Sequence, residues 1–305
     1  MLAPLEGTKL ATAHDRNQSE SFLRVVGSSN LVPAEIQTLS PKLAAFFATT
    51  DLDAPCLVMD VDLVETTYLN LASAFNGARV YYAVKANPAE GIVKRLVALG
   101  SAFDCASLPE IKLCLQQGAA PSSIGFGNTI KKERDIAAAH ALGVSLFAFD
   151  SGGELEKIAR AAPGASVQCR VLTDGVGAEW PLSRKFGCGL DMAEALMIEA
   201  AAKGLDAAGF SFHVGSQQTD PSRWAPVLVQ IAGLFTRLEA CGLAPRLINL
   251  GGGMPAHYDK PVANIEVYGV TVMAAVRQAF AHRVSDIPLE LIVEPGRGLV
   301  GDAGV

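Results

Sequence analysis

The 305-residue sequence has no C-x-x-C pair, no block rich in lysine and arginine, and no apolar stretch approaching about 18 residues. Its six cysteines are scattered, mostly within apolar segments, which argues against a disulfide framework or a zinc site and indicates reduced, buried thiols. The missing basic block and the net charge of −6 argue against nucleic acid or an anionic membrane as the main partner. We therefore expect no metal, no nucleic acid and no membrane insertion.

The start of the chain also lacks the basic segment and apolar core of a secretion signal, so a cytoplasmic location is expected. Residues 1–45 mix Ser, Asn, Gln, Pro and charged side chains with little periodicity, which predicts a loosely ordered extension. Half of all residues are hydrophobic, so the remainder is long enough to bury a large α/β core.

From residue 55 onward, short β-rich segments alternate with amphipathic ones. A lead-in strand is predicted at 56–60 and a helix at 63–75, and eight further strands are predicted at 80–85, 102–106, 124–127, 146–150, 167–172, 208–214, 247–250 and 291–294. Alternating strands and helices imply parallel pairing with right-handed crossovers, and eight units over roughly 240 residues match a (β/α)₈ TIM barrel. The alternative is an open doubly wound sheet, which ordinarily has a Gly-rich turn after its first strand; none follows Lys85.

Lys85 closes the first of these eight strands, just before Asn87 and Pro88. A lysine there is costly to bury unless it is paired or used covalently, and desolvation lowers the pKa of an amine, which leaves it nucleophilic near neutral pH. The position predicts a Schiff-base lysine. The alternative is a lysine that simply reaches water at the end of a strand.

Further polar residues and glycines fall where the carboxyl ends of barrel strands meet, the usual place for catalytic groups. They are Asp104 in the second strand, Arg170 in the fifth, His213 in the sixth, Gly251, Gly252 and Gly253 after the seventh, and Glu294, Gly296 and Arg297 after the eighth. Each one alone has a structural explanation, such as an ion pair, a hydrogen-bonded core imidazole or a tight turn. Their conjunction at one mouth favours a binding site.

This set of groups suits pyridoxal phosphate (PLP). The Lys85 amine would bind the aldehyde, glycine amides after the last two strands would hold the phosphate, and the His213 ring would stack on the cofactor. Glu294 beside the pyridine nitrogen would keep that nitrogen protonated, which favours loss of CO₂ from the substrate α-carbon. A racemase would do better with a basic residue at that position, so Glu294 leans away from alanine racemase.

At these motifs the chain resembles the barrel-type (fold type III) PLP-dependent decarboxylases of basic amino acids, whose barrel is of the alanine racemase type. The family includes ornithine, lysine, diaminopimelate and arginine decarboxylases. The matching segments are YAVKAN at 82–87, FDCAS at 103–107, WPLSRKFG at 180–187, SFHVGSQ at 211–217, GGG at 251–253 and EPGR at 294–297. The resemblance implies decarboxylation of ornithine, or of lysine, to a diamine for polyamine synthesis. The Phe103-Asp104-Cys105 motif leans away from diaminopimelate decarboxylase.

The resemblance also implies roles for individual residues. Lys85 would carry the cofactor and act in catalysis together with His213 and Glu294. Asp104 and Arg170 would lie near the lysine and the ring oxygen. The phosphate would be held by Ser216, Gly251, Gly252, Gly253, Gly296 and Arg297.

Members of this family are homodimers that continue past the barrel into a β-sandwich domain, which contributes a cysteine and acidic residues to the partner's active site. The resemblance divides the chain into a barrel at 61–297, a strand at 46–60 that would join the second domain, and a truncated start of that domain at 298–305. The segment around Lys185 and Phe186 would lie near the dimer interface. Two interpretations stay open: a fragment of a decarboxylase, and a non-catalytic PLP-binding or regulatory barrel.

Overall fold

The structure is a computed structural model that describes residues 40–181, 185–258 and 261–305; most of the predicted extension, 1–39, lies outside these ranges. The described residues fall into two units, 40–56 and 57–305. The described part of the first unit contains helix α1 (Pro41–Thr49), which begins where the Ser40 hydroxyl accepts a hydrogen bond from the backbone N–H of Leu43. The boundary predicted at residue 45 therefore falls inside a helix.

The second unit alternates strands with helices. Its strands are β1 (Ala78–Ala83), β2 (Ala102–Cys105), β3 (Ile124–Phe126), β4 (Leu146–Phe149), β5 (Ser166–Arg170), β6 (Ala178–Trp180), β7 (Asp206–Ser211), β8 (Ser216–Gln218), β9 (Leu247–Asn249) and β10 (Glu290–Val293). Its helices are α2 (Val61–Ala74), α3 (Glu90–Ala98), α4 (Leu108–Gln116), α5 (Glu133–Ala141), α6 (Gly152–Ala161), α7 (Leu190–Ala202), α8 (Trp224–Ala240), α9 (Ile265–Ala279) and α10 (Arg297–Val300).

Eight of these strands close into a barrel in the order β1-β10-β9-β7-β5-β4-β3-β2, and every neighbouring pair is parallel. The predicted (β/α)₈ architecture is confirmed, and the open sheet is excluded. The remaining strands, β6 and β8, form a small antiparallel ribbon.

The strand residues divide between two faces because side chains alternate along a strand. Outward-facing side chains such as Phe103, Ile248 and Val293 pack with the helices in the main core. A smaller inward cluster consists of Tyr81, Ala102, Ala208, Leu247 and Ile292. The inward positions two residues further along are polar: Asp104 in β2, Asn249 in β9 and Glu294 just after β10. The apolar cluster therefore forms a floor on which a polar layer lies.

Two predicted site residues lie just beyond a strand instead of within it. β1 ends at Ala83, whose N–H bonds to the carbonyl of Pro295, and Lys85 follows in a short 3₁₀ turn over Val84–Ala86. β7 ends at Ser211, so His213 lies two residues past the strand. Lys85 and His213 therefore lie on the rim of the barrel, outside the hydrogen-bonded part of the sheet.

The predicted strand at 56–60 is reduced to a single bridge residue. Met59 makes a single antiparallel bridge with Gly304, and the backbones of Val58 and Val305 exchange two hydrogen bonds of 2.9 Å. The predicted 298–305 segment likewise begins as helix α10 and continues into a 3₁₀ turn over Gly301–Ala303. Residues 57–60 and 298–305 belong to the second unit, while the predicted division into domains stays a prediction.

The cysteine prediction is confirmed for Cys105, Cys114, Cys169 and Cys188, which are buried and form no disulfide. It is wrong for Cys56 and Cys241, which are exposed because they lie in an extended segment and at the end of a helix. The described residues contain no cluster of three or more side chains suited to a metal ion. In the same part of the chain, no helix has the length and apolarity needed to cross a membrane.

Candidate cofactor and active site

Lys85 and Asp104 form an ion pair at the mouth of the barrel. The Lys85 ammonium lies 2.7 Å from Asp104 Oδ2, and the lysine side chain is 59% exposed whereas that of Asp104 is 5% exposed. The negative charge of Asp104 raises the pKa of Lys85 and outweighs the opposing effect of desolvation. Desolvation alone predicts a lowered pKa for Lys85, but the ion pair with Asp104 reverses the direction of the shift.

His213 is held as a neutral imidazole in one tautomer. Its Nδ1 accepts a hydrogen bond of 2.9 Å from the backbone N–H of Gly215, which leaves the proton of the neutral ring on Nε2. Burial, together with the nearby charges of Arg170 and Lys85, lowers the pKa of His213 to about 3. The backbone is fixed as well, since the Thr173 hydroxyl donates to the His213 carbonyl at 2.6 Å. The ring is thus uncharged and oriented across the normal pH range.

Glu294 lies directly after β10 and takes part in a buried polar network. Its Oε1 accepts a hydrogen bond of 2.5 Å from Asn249 Nδ2, and its backbone N–H donates to the carbonyl of Gly251. Burial raises the pKa of Glu294 to about 7, and the charge of Asp104 acts in the same direction. Lys85, the Asn249 hydrogen bond and Arg170 oppose that rise.

Arg170 supplies a second positive charge beside this cluster. Its guanidinium lies 5.1 Å from the ring centroid of Phe186, and burial lowers its pKa although the charges of Glu294 and Asp104 oppose the shift. The neighbouring Gly187 donates its N–H to Asp150 at 2.8 Å. The segment that contains Phe186 therefore covers Arg170 from one side.

The triple glycine forms a turn that leaves no room for side chains. A Cβ at Gly252 would lie 2.5 Å from the Glu294 carbonyl and 3.3 Å from His213 Nε2, while Gly253 has φ of +111° and its Cβ would lie 2.5 Å from the Gly215 carbonyl. Within the described part of the chain, the backbone N–H groups of Gly252 and Gly296 have no intramolecular acceptor. Free amides in a bare backbone turn are suited to bind an anion.

Arg297 extends this anion site from the opposite side. Its Nε donates to Ser216 Oγ at 3.3 Å and its Nη1 to the Tyr258 hydroxyl at 3.0 Å. The guanidinium stacks on the Trp180 ring, 4.6 Å from the ring centroid. It makes no salt bridge with Glu294, so an ion pair between these two residues does not explain the position of Arg297.

The residues present fit PLP. A partly exposed primary amine, a neutral imidazole and a carboxylate lie next to free glycine amides and a guanidinium, which match the aldehyde, ring, pyridine nitrogen and phosphate of that cofactor. All of the residues predicted for the site are brought to one mouth of the barrel. Their individual roles stay predictions.

Comparison with known proteins agrees with this class of site. The family model described as "Pyridoxal-dependent decarboxylase, pyridoxal binding domain" matches residues 61–301. Ornithine decarboxylase from Rattus norvegicus is 35% identical over 265 residues, which cover 87% of this chain and 56% of the relative. Antizyme inhibitor 2 from Xenopus laevis is 35% identical over 255 residues, covering 84% and 55%.

The solved structure of SrLDC in complex with PLP and cadaverine superposes with a TM-score of 0.78 at 31% identity, covering 87% of this chain and 66% of that one. The chain belongs to the family of pyridoxal-dependent decarboxylase barrels, and its cofactor is PLP. It spans little more than half the length of the curated relatives described above.

Sequence reasoning missed two buried residues of the site, Gln168 and Asn249. Asn249 donates to Gln168 Oε1 at 3.1 Å as well as to Glu294. A signal for Asn249 was present, since it is a polar residue at the end of an otherwise apolar strand, two positions before the triple glycine. Part of the motif at 180–187, residues 182–184, lies outside the described residues.

Proposed function

We propose that this barrel is the cofactor-binding part of a PLP-dependent decarboxylase that acts on a basic L-amino acid, ornithine first and lysine second, and forms a diamine for polyamine synthesis. The observation that carries the proposal is a carboxylate, Glu294, held in one cluster with the Lys85 amine. When bound, PLP supplies an electron-withdrawing ring that stabilises negative charge at the substrate α-carbon.

The chain's own residues would bind and orient that group. Lys85 holds a proton at Nζ because Asp104 accepts a hydrogen bond from it, and the exposed side chain can reach a carbonyl carbon at the mouth. His213 offers the flat face of a neutral ring, so it adds no positive charge that would compete for the electron pair. Glu294, which already accepts a hydrogen bond from Asn249, can accept a proton or a further hydrogen bond.

Relatives support the finer parts of the proposal. The rat relative is named for ornithine, and the SrLDC structure holds cadaverine, which is a diamine. We further propose a cytoplasmic homodimer, by analogy with the family and with the Phe186 segment at its interface. Analytical ultracentrifugation at micromolar concentration tests this, and a monomer at every concentration contradicts it.

The function is tested by CO₂ release from ¹⁴C-carboxyl-labelled ornithine, lysine, arginine and diaminopimelate, using this chain and any longer protein that contains it. Lys85→Met is expected to lower turnover roughly a thousandfold or more, because the nucleophile is lost. Lys94→Met, on the exposed side of α3, is the matched control and should keep full turnover. Equal turnover in Lys85→Met and the unaltered protein would refute the assignment.

A second function is favoured by one specific observation, the similarity to antizyme inhibitor 2. In that case the barrel would bind PLP or a protein partner without releasing CO₂. An absorbance band for bound PLP that disappears in Lys85→Met, together with no CO₂ from any of the four substrates, supports this alternative against the decarboxylase.

A further inference from the structure

The side-chain amide of Asn249 makes three hydrogen bonds inside the barrel. Its Oδ1 accepts a hydrogen bond of 2.9 Å from the backbone N–H of Gly251, which identifies the oxygen of the amide. Its Nδ2 then donates to Glu294 Oε1 at 2.5 Å and to Gln168 Oε1 at 3.1 Å. One amide thus joins the acid, the start of the glycine turn and β5.

This amide cannot easily turn away from Glu294. Asn249 is 1% exposed and Gln168 is 2% exposed, so any rotation would leave a buried donor or acceptor without a partner. Because Gly251 N–H has to face an oxygen, the –NH₂ group always faces the carboxylate. Hydrogen bonds to a charged acceptor are about twice as strong as neutral ones, so the contact favours the ionised acid.

We propose that Asn249 is a positioning residue that stabilises the charged form of Glu294 and ties its carboxylate to the glycine turn. The inference deepens the proposed function and rests on it for its catalytic meaning, since a charged Glu294 is what would keep a pyridine nitrogen protonated. The hydrogen-bond chain itself does not depend on the reaction.

Glu294 lies among charges of both signs, with the Asn249 amide as a neutral hydrogen-bond donor. Lys85 and Arg170 face it with positive charge, and Asp104 faces it with negative charge. Burial raises the pKa of Glu294 to about 7, close to neutral pH. Loss of a donor at Asn249 would therefore shift an acid that is about half charged at neutral pH toward its neutral form.

The discriminating variant is Asn249→Asp, which keeps the shape and the acceptor for Gly251 but replaces the donating –NH₂ with a second acid. Asn264→Asp is the matched control, because the same chemical change falls at the exposed N-cap of α9, where either side chain can accept from Glu266 N–H. Asn249→Ala removes the donor without adding charge.

The measurement is a pH titration of ¹³Cδ-glutamate NMR signals, with the Glu294 signal identified by its absence in Glu294→Gln, on protein with PLP bound and again after its removal. Asn249→Asp is expected to raise the pKa of Glu294 by about one unit or more, a tenfold change in the charged-to-neutral ratio. Asn249→Ala should raise it less, and Asn264→Asp not at all.

A second readout does not depend on whether the Asn249 variants fold. In the unaltered protein with ¹⁵N-labelled asparagine, the Nδ2 protons of Asn249 should shift with the same midpoint as Glu294. Independent midpoints, or an unchanged Glu294 pKa in Asn249→Asp, would overturn the inference. Failure of CO₂ release from the unaltered protein would overturn the proposed function instead, and leaves these NMR outcomes unaffected.

Discussion

Two lysine–carboxylate pairs in the barrel unit differ in what surrounds the amine. Lys85 pairs with Asp104 at the mouth, where the lysine side chain is 59% exposed. Lys131 pairs with Glu154 of α6 at 2.8 Å, and these two side chains are 0% and 3% exposed. Lys131 Nζ also donates to the carbonyls of Asn128 and Ala148 at 2.8 and 2.6 Å.

The difference separates a reactive amine from a structural one. All three ammonium protons of Lys131 have acceptors, which connect the segment after β3 with β4 and α6. No proton of this ammonium group is left to bind a ligand. Lys85 has a single bonded partner, Asp104, among the described residues, and most of its side chain is open to the mouth. Burial of a lysine is thus no measure of function, whereas the number of acceptors around it is informative.

The largest expected effect is a difference between the two lysine–carboxylate pairs in their contribution to the free energy of unfolding. Lys131→Met should cost about 3 kcal/mol in the free energy of unfolding, because the buried carbonyls of Asn128 and Ala148 lose their donor and Glu154 keeps only its ion pair with Lys157. Lys85→Met should cost about 1 kcal/mol or less, since the pair is partly exposed and Arg170 still faces Asp104. Urea unfolding monitored by circular dichroism measures both.

The double variant Lys131→Met/Glu154→Gln serves as the control. It should recover part of the loss, because the buried carboxylate, which only Lys157 still pairs in Lys131→Met, is replaced by a neutral amide. Equal losses at Lys85 and Lys131 would erase the distinction between the pairs.

The pH dependence of stability should have opposite signs at the two lysines. Burial lowers the pKa of Lys131 from 10.5 to about 8, although Glu154 opposes this. Between these values the unfolded chain binds a proton that the folded chain has released, so the protein should gain up to about 3 kcal/mol relative to Lys131→Met as the pH rises from 8 to 10.5.

For Lys85, Asp104 raises the folded pKa above 10.5. Its contribution is therefore fully present below pH 10.5 and is lost as the pH rises through the folded pKa. Unfolding in urea at several pH values, compared between the unaltered chain and each methionine variant, gives both slopes. A Lys131 difference that stays flat from pH 8 to 10.5 contradicts the expectation.

The smallest effect concerns reactivity. Asp104→Asn removes the main cause that raises the Lys85 pKa, so trace acylation of Lys85 at pH 9, in PLP-free protein, should become about threefold to tenfold faster. Glu154→Gln is the matched change at the other pair. It should leave Lys131 unlabelled, because that side chain is inaccessible. Mass spectrometry of the two lysine peptides reports the rates.

The barrel and its mouth were predictable because both depend on local signals. Strand and helix periods repeat along the chain, and residues at strand ends such as Asp104 and Glu294 converge once the barrel closes. The strand bounds were predicted to within a few residues, with Lys85 and His213 displaced onto the rim.

The Lys131–Glu154 pair was not predictable in the same way. The spacing of Ser151 and Glu154 is that of a capping box, and the Ser151 hydroxyl accepts a hydrogen bond of 3.4 Å from Glu154 N–H. The carboxylate, however, turns to a lysine 23 residues away, whose position depends on how β3 and β4 lie side by side. Contacts of this kind follow from tertiary register and leave no local pattern.

The turn at Gly215 has a consequence for redesign of the barrel. Gly215 has φ of +102°, and a Cβ there would lie 2.3 Å from the Cβ of Ala178 in the β6–β8 ribbon. The N–H of Gly215 also donates to His213 Nδ1, so the backbone conformation at Gly215 sets the orientation of the imidazole ring. A design that transfers this site to another scaffold would therefore have to include the β6–β8 ribbon, Gly215 and His213 together.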